Sequence, residues 1–167
     1  MEEKELLDKA RQGNKHCLNL LLQNNYQMLY GFLIKLTGDK DLVQDTLLKA
    51  SLNTTKFRGE SKFSSSLIKI GINTHKNYLR KNKIRTEHDD FEFKTSYDME
   101  DDLINHIRFK EALNHLNNMS YEKRISFILK HYYGYSIEEI SEILKVSEGT
   151  TKYRIHNTIK KLRELLS

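Results

Sequence analysis

The sequence predicts an all-α protein: two small helical domains joined by an acidic linker, the second domain carrying a helix-turn-helix. Three observations lead there. Apolar residues recur at spacings of three and four along most of the chain, the signature of amphipathic helices. The 167 residues include no proline and no tryptophan, with 38% hydrophobic and 31% charged residues, a balance that suits a helix-rich soluble chain. The charge is unevenly placed: residues 1–85 carry 16 Lys/Arg against 8 Asp/Glu, residues 86–105 carry 1 against 8, and residues 106–167 carry 11 against 7. Two basic bodies therefore flank an acidic strap, and the expected domains are 1–85 and 106–167, each able to bury a modest core.

In the first body, Leu6, Leu7 and Ala10 mark a short helix ending near Gly13. Leu18, Leu21, Leu22, Met28, Leu29, Phe32, Leu33 and Leu36 mark a long one that stops at Thr37-Gly38. Asp39 suits the cap of a third helix, with Leu42, Val43, Leu47, Leu48 and Leu52 favouring one side and Asp41, Gln44, Asp45 and Lys49 the other. After the loop "KFRGESKF", Leu67, Ile68, Gly71, Ile72 and Leu79 stripe a helix from about Ser64 to Lys83, which also carries Lys69, Lys76, Arg80 and Lys81.

Helical periodicity then lapses. Residues 86–102 are acidic with Phe91, Phe93, Tyr97 and Met99 scattered among them, the composition of a linker. Beyond it, Ile107, Ala112, Leu113, Leu116 and Met119 mark one helix. Ser120 suits the cap of a second carrying Ile125, Phe127, Ile128, Leu129 and Tyr132, which Gly134 stops.

The last 32 residues hold the strongest local signal. Ser136 and Glu139 have capping-box spacing, Ile140, Ile143 and Leu144 form a buried face, Val146 plugs a turn, and Ser147 suits the cap of a final helix. Along that helix Thr151, Ile155, Ile159, Leu162 and Leu166 are expected to face inward. Two short-linked helices of this kind make a helix-turn-helix. Lys152, Tyr153, His156 and Asn157 sit near the start of its second helix, flanked by Arg154, where side chains of a recognition helix reach base edges. The same basic face also suits the outer side of an ordinary helical bundle, and pattern alone leaves both readings open.

The bulk numbers narrow the function classes. A net charge of +5 and a pI near 9.1 point to a polyanionic partner. Cys17 is the only cysteine, so no internal disulfide forms and a reducing compartment is expected; its leucine neighbours make it a buried apolar residue. The N-terminus "MEEKELLDKA" has no apolar leader, and no stretch approaches the roughly 18 apolar residues of a membrane span, so a cytoplasmic, unanchored protein without membrane insertion is expected. His75, His88, His106, His115, His131 and His156 show no metal-ligand spacing, and Glu138 and Glu139 diverge on their helix. No enzyme, metal or cofactor is expected.

Three stretches, "DLVQDTLLKA", "KFRGESKFSSSLIKIGINTHKNYLRKNK" and "YSIEEISEILKVSEGTTKYRIHNTIKKL", resemble in order and spacing the two conserved regions of bacterial RNA polymerase sigma factors of the extracytoplasmic-function group. The resemblance runs from about Leu6 to Leu165. It implies that residues 1–85 form sigma region 2, that residues 106–167 form region 4, and that the chain recruits core polymerase to promoters and helps melt the minus-ten element.

By that resemblance, Asp41, Leu42, Val43, Gln44, Asp45 and Lys49 would dock on the clamp of the polymerase β′ subunit, with the β flap as a further partner. Phe57, Arg58, Gly59, Glu60 and Ser61 would capture a base extruded from the minus-ten strand. Asn73, Lys76, Asn77 and Arg80, on the helix behind, would hold phosphates and neighbouring bases. Thr150 and Arg154 would grip phosphate, and Lys152, Tyr153, His156 and Asn157 would read the minus-thirty-five element. The linker is similar to those that run through the polymerase RNA path, and an anti-sigma factor, often membrane-bound, is the expected inhibitor.

The chain departs from the family pattern at Ser66, where many members have Trp, at Thr151 for Val, at Lys145 for Gly and at Tyr153 for a small Ser, so no promoter consensus transfers. Two other classes compete. A stand-alone DNA-binding dimer would prefer a two-fold symmetric site, and a nuclease would cleave DNA with metal.

Overall fold

The computed structural model describes residues 1–81 and 103–166, with side chains from residue 110 onward in the second stretch. The expected linker over 86–102, its aromatic residues and Met99, the side chain of Ile107, and Lys83 lie outside the described residues. The chain divides into two compact units, Met1–Ile84 and Arg85–Ser167, and every described element is helical.

The first unit contains α1 (Glu3–Arg11), α2 (Lys15–Thr37), α3 (Lys40–Leu52), a 3-10 turn (Thr54–Lys56) and α4 (Phe63–Lys81). Local chemistry sets the helix starts. The Asn14 side chain accepts from the Cys17 N–H at 3.1 Å, and the Asp39 carboxylate accepts from the Asp41 N–H at 2.9 Å, each satisfying one of the donors a helix N-terminus leaves free.

Helix α2 is the axis of this unit and packs on α1, α3 and α4. Leu29, Phe32 and Leu33 are fully buried there with Ala50 of α3 and Leu67 and Ile68 of α4. Full burial of each large side chain contributes about 1.5–3 kcal/mol. Close approach is made at Gly71: a Cβ there would lie 2.9 Å from Leu33 Cδ2, so any larger residue would have to push the buried Leu33 methyl aside. Cys17 is buried and free.

The second unit contains α5 (Leu103–Leu116), α6 (Tyr121–Phe127), α7 (Ile137–Leu144) and α8 (Glu148–Leu166). Helix α5 opens at Leu103, three residues before residue 106. Leu113, Leu116, Ile125, Ile128, Leu129 and Ile140 are buried, and α8 is the common partner of α5, α6 and α7. After α6 the chain makes one π-helical turn, Ile128–Tyr132, where the sequence predicts a continuous helix to Tyr132. The Tyr133 N–H donates to the Ile128 carbonyl, and the wider turn is a local adjustment of a kind often found at bends between packed helices.

Two further expectations are corrected. Leu48 and Leu52 do not join the core of α3; they are 59% and 74% exposed, and Thr46 and Ala50 take the inward places. Thr46 fits because its hydroxyl donates to the Leu42 carbonyl at 2.7 Å, so no polar group is stranded. In α8 the inward residues are Thr151, Ile155, Thr158 and Leu162, while Leu166 is 40% exposed. Thr158 likewise donates to the Arg154 carbonyl at 2.7 Å.

Candidate nucleic-acid interface

Three surfaces collect the residues singled out from the sequence. The first is the outer face of α3. Asp41, Gln44 and Asp45 are exposed, and Leu48 and Leu52 follow on the same side at helical spacing. The result is one stripe of carboxylates running into bare leucine. Leu42 and Val43 are 4% and 1% exposed and belong to the core beneath this face. Lys49 lies at its edge and donates to Thr74 Oγ1 of α4 at 3.2 Å, tying the two helices together.

The second surface is the loop between the 3-10 turn and α4. Arg58, Gly59, Glu60 and Ser61 are exposed, whereas Phe57 is half-buried. The Phe57 ring meets Phe63 edge-on, centroids 5.0 Å apart, and Phe63 is buried; this aromatic pair anchors the start of the loop to the start of the helix. Gly59 has φ of +77°, a conformation in which an L side chain is strained, and it turns the loop back over α1. Behind the loop, Asn73, Asn77 and Arg80 are exposed and Lys76 is half-buried. Their spacing of three and four puts them on one side of α4, a polar and cationic strip suited to phosphates and base edges.

The third surface is α8. Short polar side chains set the helix pair that presents it: at the start of α7 the Glu139 N–H donates to Ser136 Oγ and the Ser136 N–H to Glu139 Oε1, both at 3.1 Å, completing the expected capping box. Ser141 Oγ and Thr151 Oγ1 are 2.8 Å apart in the buried interface between α7 and α8. A valine in place of Thr151 could not make that bond. Lys145 closes α7 in the left-handed conformation, φ +55°, and the Ser147 Oγ accepts from the Thr150 N–H at 3.2 Å to start α8.

Opposite the buried side of α8 stand Tyr153, 65% exposed, and the exposed His156 and Lys160, with Asn157 half-buried beside them. Lys152 and Arg154 occupy the edges. Asn157 is held by a bond from its Nδ2 to the Tyr153 carbonyl at 3.0 Å, which leaves its side-chain oxygen as an acceptor. Thr150 is half-buried, its hydroxyl 2.9 Å from Ser147 Oγ, so it takes part in the cap.

Sequence reading missed two features of these surfaces. Leu48 and Leu52 read as core because they are leucines at plausible spacing; the signal against them is that Thr46 and Ala50 complete a tighter stripe with Leu42 and Val43. Lys123, on α6, lines a shallow groove with Asn157, Lys160 and Lys161 of α8, extending the cationic face across two helices. No local pattern announces that meeting, because it depends on how α6 packs on α8.

Comparison with known proteins fits this geometry. Residues 21–84 match sigma-70 region 2 and residues 109–162 match sigma-70 region 4. The chain is 30% identical over 142 residues to the ECF RNA polymerase sigma factor EcfG of Rhodopseudomonas palustris, covering 83% of this chain and 78% of that protein. It is 27% identical over 170 residues to the ECF RNA polymerase sigma-E factor of Haemophilus influenzae, covering 93% and 90%. Among solved structures, the sigma factor RpoE of Bartonella quintana, in complex with the anti-sigma factor NepR, shares 29% identity with a TM-score of 0.71 over 89% of this chain and 95% of that one. CnrH, in complex with the cytosolic domain of CnrY, has a TM-score of 0.72 at 21% identity, covering 98% and 96%, a likeness of fold. With both conserved regions matched in order, this chain belongs to the extracytoplasmic-function family of RNA polymerase sigma factors.

Proposed function

We propose that the two units divide the work of a promoter-directing sigma factor, with residues 1–85 binding core polymerase and the minus-ten element, residues 106–167 binding the minus-thirty-five element, and residues 86–105 linking them. As a member of its family the chain binds core RNA polymerase and directs it to promoters. It is an initiation subunit that acts in the cytoplasm, and the polymerase performs the catalysis. The observation that carries the residue-level reading is the α3 stripe: Leu48 and Leu52 at 59% and 74% exposure beside Asp41, Gln44 and Asp45. Exposed leucines in line with carboxylates are what a helix presents to a partner with apolar and basic side chains, here the β′ clamp.

The exposed loop 58–61 and the Asn73, Lys76, Asn77 and Arg80 strip lie in the same unit. Extruding a base costs a few kcal/mol, which polar and aromatic contacts in such a loop can offset. In the second unit, the Tyr153, His156 and Asn157 face enters the major groove, with Lys152 reading at its edge and Arg154 and Thr150 on phosphate. The β flap contacts this second unit. RpoE of Bartonella quintana is solved with an anti-sigma factor; an inhibitor of that kind, soluble or membrane-bound, is the expected regulator of this chain.

Mixing the full-length protein with bacterial core polymerase on a sizing column tests the reading. Co-elution is expected, and Leu48→Ser with Leu52→Ser should abolish it while lowering thermal stability only by the small loss of helix propensity, since neither side chain is in the core. Retained DNA binding without co-elution would instead favour a stand-alone regulator, and a symmetric footprint would establish it.

A further inference from the structure

The region 2 match begins at residue 21, so α1 stands outside it. Yet α1 reaches both ends of the loop assigned above to the minus-ten strand. Glu3, in the first turn of α1, accepts from the Phe63 N–H at 2.8 Å. Phe63 is the first residue of α4. The residue before it, Lys62, whose carbonyl accepts from the Ser65 and Ser66 N–H groups, has a side chain with no acceptor and cannot cap its own helix. A carboxylate from sixty residues upstream in the chain therefore supplies the cap that sequence normally provides locally, and it does so at the positive end of the helix dipole.

The second contact lies in mid-loop. Leu7, one helical turn further along α1, is 4% exposed, and its Cδ2 would be 3.6 Å from a Cβ at Gly59. The left-handed turn at Gly59 is thus laid against α1, and the 3-10 turn that precedes the loop also packs on α1. With Phe57 resting on Phe63, the loop is pinned at its start, its middle and its end, while Arg58, Glu60 and Ser61 remain exposed.

We infer that α1 is a latch for the strand-reading loop, with Glu3 as a positioning residue that holds residues 57–62 in the shape that accepts an extruded base. This rests on the assignment of that loop to the minus-ten strand. A loop already held in its bound shape loses less conformational freedom on binding, and so binds more tightly and discriminates better than a loose one. Glu3 is exposed, so its removal spares the core and acts on the loop.

The experiment uses holoenzyme formed from core polymerase and full-length wild type, Glu3→Ala, Glu3→Gln or Arg58→Ala. The probe is a short fluorescent single strand carrying the minus-ten sequence that wild-type holoenzyme selects from a randomised pool, and the same strand with its selected base made abasic. Glu3→Ala is expected to weaken binding of the intact strand by about tenfold and to bring the ratio of intact to abasic affinity toward one. Glu3→Gln, which keeps an acceptor oxygen, should retain most of both. Polymerase affinity should stay at the wild-type value, and the thermal midpoint should fall by no more than the few degrees that loss of one helix cap costs.

If Glu3→Ala matches wild type while Arg58→Ala loses the strand, the loop reads DNA without the latch and the inference is overturned. If Arg58→Ala also matches wild type, the loop assignment itself falls. Loss of polymerase binding in step with strand binding in Glu3→Ala would make α1 a plain structural support, and would likewise overturn it.

Discussion

Lys145 is the one non-glycine residue with positive φ among the described residues, and it closes α7 in the turn that sets α8. An L residue in the left-handed region costs about 1–2 kcal/mol. Glycine removes that strain but loses about 0.5–1 kcal/mol more chain entropy on folding. The lysine charge at the end of α7 contributes a favourable interaction with the helix dipole of about 0.3–1 kcal/mol, which either Lys145→Gly or Lys145→Ala removes. The two variants therefore differ only in the backbone contribution, and Lys145→Gly should be the more stable by about 0.5–1 kcal/mol. Against wild type, Lys145→Gly should be near neutral. Hydrogen exchange of the α7 and α8 amides reads this unit by itself, and in a melt the difference amounts to a few degrees. Binding of upstream promoter duplex should not change, because the turn keeps its conformation. A Lys145→Gly variant no more stable than Lys145→Ala would refute the reasoning.

The remaining predictions concern packing, a buried charge and base reading. Gly71→Ala places a Cβ 2.9 Å from Leu33 Cδ2; overpacking of about 1–3 kcal/mol, less about 1 kcal/mol of improved helix propensity, should lower the urea midpoint, and a raised midpoint would mean that Leu33 turns aside freely. Burial lowers the Lys35 pKa from 10.5 to about 8. The unfolded chain then holds the proton that the folded one releases, so this residue makes stability rise as pH climbs from about 8 to 10.5. Lys35→Met should remove that slope and stabilise the protein most below pH 8, whereas equal slopes in both proteins would contradict it. Lys152→Ala or Asn157→Ala should weaken binding to the upstream element by about 1–3 kcal/mol in a sequence-selective way; a uniform loss on all duplexes in a competition assay would show phosphate contact alone.

Local chemistry made much of this fold legible. The caps at Asp39, Ser136 and Ser147, the stop at Gly38 and the capping box are interactions between residues a few positions apart, so their spacing predicts them. The charge map likewise separates the two units. Motif order carried the family, because the three stretches keep their spacing even where single residues depart.

What remained illegible depends on residues far apart in the chain. Whether a leucine is core or surface was decided by which face of its helix met a neighbour: α3 turned Thr46 and Ala50 inward, satisfying the threonine hydroxyl within the helix, and left Leu48 and Leu52 bare. The same choice put Thr158 inside α8 and Leu166 at its surface. Glu3 reads as an ordinary first-turn carboxylate, and only the packing of α1 on the loop makes it the cap of α4. The sequence by itself determined the helices, those of their ends that are capped locally, and the family; tertiary packing alone decided which polar and apolar faces were left for partners, because a helix has many ways to bury one side and only its neighbours choose among them.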